Sequence, residues 1–118
     1  MNTTELMIGD WVKIKGYDGL RITSINKRFA SFDRRWHGER LDKIEPIPIT
    51  LDFLEKNGLG KLYTDYYDLD VYEANDGLWR VVYSNLECSG FDESVLVSSV
   101  HELQHFLRHV GIDKDIEI

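Results

Sequence analysis

The 118-residue chain has one cysteine, two prolines, no long apolar run and few positive charges in its second half. A lone cysteine, Cys88, has no partner for an internal disulfide, which fits a reducing compartment, and no neighbouring histidine sets it up as a nucleophile, so it reads as a structural thiol. No stretch approaches the 18 or so apolar residues of a membrane span. The segment MNTTELMIGDWVKIK lacks the basic-then-apolar order of a signal peptide. The expectation is a cytoplasmic protein without a membrane partner. A Walker loop, GxGxxG, paired CxxC and the GxSxG elbow are all missing, so the reaction classes they mark lose their usual support, and no catalytic residue or cofactor is assigned. A chain of this length buries roughly two thirds of its unfolded surface, enough for a core without metal or crosslinks.

The net charge of −7 is uneven. Through Glu45 there are nine Lys or Arg against seven Asp or Glu; from Pro46 onward there are five against fourteen. An acidic surface repels nucleic acid and anionic membranes. Any nucleic-acid contact therefore belongs to the first 45 residues.

That opening third is built of short alternating segments: Leu6 with Ile8, Trp11 to Lys15, Leu20 to Ile25, and Phe29 to Phe32. Gly16-Tyr17-Asp18-Gly19, Asn26-Lys27 and His37-Gly38 supply turns between them. Four or five strands in about 45 residues, entered by Gly9-Asp10-Trp11-Val12, predict a small SH3-like β-barrel, a fold-level analogy. Pro46-Ile47-Pro48-Ile49 forms a stiff connector, because two prolines remove donors and hold their neighbours extended. The domains expected are 1-45, an SH3-like β module, and 46-118, an α+β module packed with it as one unit.

In the second module Thr50 is placed to N-cap a helix over Leu51 to Asn57, with Gly58 at C′ and Leu59 packing back on the last turn. Tyr66 to Ala74 and Leu78 to Ser84 flank Asn75-Asp76-Gly77, a strong hairpin signal. Tyr67, Leu69 and Val71 share one face with Trp79, Val81 and Tyr83, leaving Asp68, Asp70 and Tyr72 on the other. A further strand is expected within Leu86 to Val97, interrupted near Ser89-Gly90. The last helix runs from Val100 to Val110, with Ser99 as N-cap in a capping box with Glu102, and Gly111 and Ile112 closing it. The fold class is α+β.

His101-Glu102-Leu103-Gln104-His105 matches HExxH, in which two histidines one turn apart bind zinc and the glutamate polarises the metal-bound water. At about 100° per residue, Val100, Leu103, Phe106, Leu107 and Val110 fill an arc of about 120°, and His101, His105 and His109 centre on the opposite side. If the apolar arc faces the core, the three histidines face solvent, where a catalytic cleft cannot form. They are metal candidates only as a surface site, and the expectation is no metal.

Two further constellations bear on binding. Lys27, Arg28, Arg34, Arg35 and Trp36 put cations beside aromatics, a combination that binds single-stranded nucleic acid by phosphate attraction and stacking; alternatively Phe29 and Trp36 are core or rim residues under arginine stems. Tyr63, Tyr66 and Tyr72 with Asp65, Asp68 and Asp70 make aromatic anchors ringed by acid, suited to a protein partner. The same aspartates also read as the wet side of a sheet, or as ligands for a hard cation.

Glu5-Leu6-Met7-Ile8-Gly9-Asp10-Trp11-Val12, Ile44 to Thr50 through Leu54 to Gly58, and Val100-His101-Glu102-Leu103-Gln104 together resemble a group of small uncharacterised proteins encoded by phages and mobile elements of Bacteroides-like gut bacteria. In that group the position of His105 is often Asn and that of Glu102 often Gln, which implies a structural helix rather than a zinc site. The resemblance implies a non-enzymatic, phage-type accessory or protein-interaction protein whose partner is a host or phage protein. A nucleic-acid-binding module is the alternative, and an HExxH zinc hydrolase the third reading.

Overall fold

The computed structural model describes residues 6–14, 17–33, 38–87 and 92–118. They form two antiparallel sheets and two α-helices in an α+β arrangement. The first sheet contains β1 (Trp11–Ile14), β2 (Tyr17–Ile25), β3 (Phe29–Phe32), β4 (Glu39–Arg40) and β5 (Ile44–Pro46), in the order β4-β3-β2-β1-β5. A 3-10 turn over Leu41–Lys43 leads into β5. The ladder does not close: β4 and β5 are its two edges, so the expected barrel is an open sheet among the described residues.

Its inner positions alternate as the pleat requires, with Val12, Ile14, Leu20, Ile22, Ala30 and Phe32 buried against Leu6, Leu41 and Ile44. Two local expectations fail here. Leu6 and Ile8 are not in a strand, because the Asp10 amide donates to the Met7 carbonyl and ties residues 7–10 into a turn. Tyr17, Asp18 and Gly19 belong to β2 rather than to a hairpin turn. Val12 pairs with Leu20 and Ile14 with Tyr17, so Asp18 and Gly19 oppose Lys13 alone in a bulge, and Gly19 takes the positive φ of 72° that the extra residue needs. Asn26 closes the next hairpin by accepting the amides of Arg28 and Phe29 on its side chain. The turns placed at Gly16 and His37-Gly38, the strand break at Ser89-Gly90, and Cys88 involve residues outside those described, although Gly38 itself is described.

Pro46 ends β5 at the sheet edge, where a missing N–H costs no ladder bond. The connector after it is pinned to the second half: the Val100 amide donates to the Ile47 carbonyl at 2.8 Å, and Pro48 bridges Ser99. Helix α1 (Leu51–Asn57) forms as its caps dictate. Thr50 Oγ1 accepts the Phe53 amide at 3.1 Å, Gly58 sits at φ 64°, and the Leu59 amide returns to the Leu54 carbonyl with its side chain fully buried.

The second sheet has the order β6-β7-β8-β9, comprising β6 (Lys61–Tyr63), β7 (Tyr67–Asn75), β8 (Leu78–Asn85) and β9 (Asp92–Val97). Asp76 and Gly77 both have positive φ, the two-residue turn whose twist matches the flanking strands. Leu69, Val71, Trp79, Val81, Tyr83 and Val97 face inward and are covered by α2 (Val100–His109) through Val100, Leu103, Phe106 and Leu107. Ile112 and Ile116 complete this core. The two cores lie end to end, which gives dimensions of 46 × 26 × 22 Å and a radius of gyration of 15.0 Å, above the roughly 13.5 Å of a compact chain this long. No helix among the described residues is long and apolar enough to cross a membrane.

Candidate functional site

Helix α2 carries the HExxH segment and is buried on more than its apolar arc. Its second contact runs along His101, Gln104, His105 and Arg108, residues at i, i+3, i+4 and i+7 that share a face. Three of them meet the Gly9-Asp10-Trp11 corner entering β1. Gln104 accepts the Trp11 amide at 2.9 Å and donates to the Gly9 carbonyl at 3.0 Å. The Asp10 side chain is fully buried; it accepts the Met7 amide at 2.8 Å, meets His105 Nε2 at 2.8 and 3.0 Å, and meets Arg108 Nη2 at 3.3 Å. A carboxylate only accepts, so Nε2 is the protonated nitrogen of His105.

This corrects the expectation that all three histidines face solvent. His101 is 2% exposed, and its Nδ1 lies 3.1 Å from the Ser99 hydroxyl. The His105 side chain is 25% exposed and held by Asp10. Only His109 is well exposed, 3.1 Å from Glu93 on β9. Glu102 does not act as polariser of a water either, since it accepts the hydroxyls of Ser98 and Ser99 at 2.7 and 2.9 Å. Ser99 therefore sits at the N-cap but spends its hydroxyl on Glu102 rather than on a backbone amide, a variant of the expected capping box. Among the described residues, no three His, Cys, Asp or Glu side chains converge where a metal ion would be held.

The acidic-aromatic constellation occupies the other face of the second sheet. Cross-strand partners share a face, and the pairs Lys61 with Asp70, Tyr63 with Asp68, Tyr72 with Arg80 and Arg80 with Leu96 place these side chains together opposite α2. Tyr63, Tyr66, Tyr72 and Leu96 are 59%, 64%, 49% and 41% exposed. The Tyr63 hydroxyl donates to Asp70 at 2.9 Å, and that bond, followed by desolvation and the charges of Asp70 and Asp68, pushes the phenol pKa up. Arg80, tied to Ser94 at 2.9 Å, and Lys61 opposite Asp70 keep their charges on this face, and the carboxylates of the surrounding segment outnumber them. Between residues 61 and 97 there are eight acidic residues and two basic ones. Asp65 lies exposed in the turn before β7, where Thr64 Oγ1 accepts the amides of Tyr66 and Tyr67.

In the first sheet, Lys27, Arg28 and Arg40 surround Phe29 in a shallow depression of about 550 Å³ that Leu41 and Asp42 complete. Phe29 is 45% exposed and opposes Arg40, so it is a surface aromatic and not a core residue. Arg40 shares part of its charge with Asp42 at 3.1 Å. Arg34, Arg35 and Trp36 lie outside the described residues.

Residues 112–118 form an extended strap that the sequence reading missed. The Trp11 indole N–H donates to the Ile116 carbonyl at 2.8 Å, Arg21 pairs with Asp115 at 3.0 Å, and Asn57 exchanges two hydrogen bonds with the backbone of Glu117 at 2.7 and 2.8 Å. The only sequence signal was the spacing of Ile112, Ile116 and Ile118. Compared with protein families, curated proteins and solved structures, the chain matches none.

Proposed function

We propose that this chain is a non-enzymatic accessory protein of the phage and mobile-element type that works in the cytoplasm by binding another protein, and that the open face of the second sheet is its docking surface. The observation carrying this reading is that Tyr63 and Tyr72 stand exposed beside Asp68 and Asp70 on the sheet face that α2 leaves uncovered, with Tyr66 and Asp65 exposed in the turn that enters β7. Tyrosine supplies contact area at small entropic cost, and acid around it steers a basic partner. The order β4-β3-β2-β1-β5, with a 3-10 turn before β5, supports reading residues 1–45 as an SH3-like module beside an α+β module over 46–118.

The test is the double variant Tyr66→Ala with Tyr72→Ala. Exposed side chains contribute little to folding, so its melting temperature is expected to stay within about 2 °C of wild type while capture of the partner from host lysate is lost. A drop of several degrees would make the tyrosines structural and remove the docking surface.

The exposure of Phe29 between Lys27, Arg28 and Arg40 favours a second reading, in which the first sheet binds single-stranded nucleic acid. Binding of an oligonucleotide that weakens steeply with salt, and disappears in Lys27→Ala with Arg28→Ala, would establish it.

A further inference from the structure

Four strand edges flank the two sheets, and three of them are blunted. β4 is two residues long, β5 is three residues long and ends in Pro46, and β6 is three residues long and begins with Lys61. Short length, proline and lysine are three of the devices that keep an edge from pairing with another chain; an inward charge is a fourth, and the one on β9, Glu93, turns away acidic and neutral chains but not a basic one. β9 has none of the first three. It runs six residues, Asp92–Val97, pairs with β8 in unbroken register from Trp79↔Val97 to Ser84↔Asp92, and contains neither proline nor lysine. Among the described residues nothing hydrogen-bonds to its outer edge, so every second residue presents an unpaired N–H and C=O along roughly 20 Å.

Beside that edge lies a groove of about 320 Å³ between β9 and α2. Val95, Val97 and Phe106 give it an apolar floor, and Glu102, His105 and His109 line its helix side. Glu93 enters from β9, bonded to His109 through Oε1, while its Oε2 is buried and has no hydrogen-bond partner. Glu93 and Glu102 make the surroundings acidic.

We infer that β9 and α2 form a second binding site, which takes an extended basic segment of a partner polypeptide as an added strand. The backbone of that segment pairs with the open edge of β9, and the side chains it turns toward α2 are apolar over Val95, Val97 and Phe106 and basic beside Glu93 and Glu102. Main-chain pairing supplies affinity, and the alternate pockets supply selectivity. This site is separate from the tyrosine face and does not depend on it.

The experiment titrates the full chain with an acetylated, amidated peptide that carries lysine and valine in turn at every second position, so that both fall on one face, with threonine between them, followed by backbone amide NMR and hydrogen exchange. Expected are shifts at residues 92–97, slowed exchange of the outward amides of β9, binding at least tenfold weaker for a peptide N-methylated on alternate residues, and a three- to fivefold loss with Glu93→Gln. Equal binding of the same peptide with glutamate in place of lysine, shifts confined to Tyr63, Tyr66 and Tyr72, or no shifts at 92–97 would overturn it. So would a concentration-dependent dimer protecting the same amides without peptide, since a second copy would then own the edge.

Discussion

Asp10 carries more of the structure than any other polar residue described. Its carboxylate has no contact with water, and its partners come from the turn before it and from a helix 95 positions away in sequence. Replacing it by alanine strands the Met7 amide and unpairs two side chains, but His105 and Arg108 are partly exposed and regain water, so the cost falls short of a fully buried pair. Asp10→Ala should lower stability by about 2 to 4 kcal/mol in urea unfolding. A loss under about 1 kcal/mol would show that the corner is held by Gln104 alone. In the sequence Asp10 reads only as part of the Gly9-Asp10-Trp11-Val12 step into the first strands, and nothing near it announces the helix it meets. The signal existed on the other side, in the helical spacing of His101, Gln104, His105 and Arg108, but a polar stripe reads as a solvated face unless something is known to cover it.

Elements defined by their own ends were legible. Thr50, Gly58 and Leu59 specify α1 through local hydrogen bonds, and Asp76-Gly77 specifies the β7-β8 turn through backbone conformation. Elements defined by a neighbour were not. β6 is three residues that become a strand only because β7 lies alongside, and the bulge at Gly19 exists because β1 is one residue shorter across that stretch. The bulge has a measurable signature. Gly19 and Gly58 both take positive φ, but a Cβ at Gly58 would enter open space, whereas one at Gly19 would come within 3.2 Å of Ile118 Cγ2. Gly58→Ala should cost about 1 to 2 kcal/mol from backbone conformation alone. Gly19→Ala should cost more and also loosen the strap, seen as faster exchange at residues 116–118. Equal costs for the two would mean that Ile118 does not rest on the bulge.

At the scale of the molecule, two cores are joined by three devices: the connector at Ile47, the Asp10 corner and the 112–118 strap. The sequence placed the change in charge and the stiff connector at the same point, near Pro46, yet left the joint itself unread because its contacts are nonlocal. Deleting residues 113–118 removes buried Ile116 and the acceptor of the Trp11 indole, and should cost about 2 to 4 kcal/mol while shifting the Trp11 indole proton resonance to its free-water position. An unchanged resonance would show that the indole does not depend on the strap. The same hydrogen bond has a meaning in time. Trp11 and Ile116 are 105 positions apart, so a ribosome adding about 5 to 20 residues per second delivers the donor roughly 5 to 20 s before its acceptor. Throughout that interval the first sheet can fold, with Asp10 already holding the Met7 amide, but the Trp11 indole and the side of Asp10 that later meets His105 and Arg108 have only water or a chaperone to meet. A first sheet that folds within that interval therefore carries an unmet polar edge, and that stage, rather than the finished protein, is the one most open to mispairing.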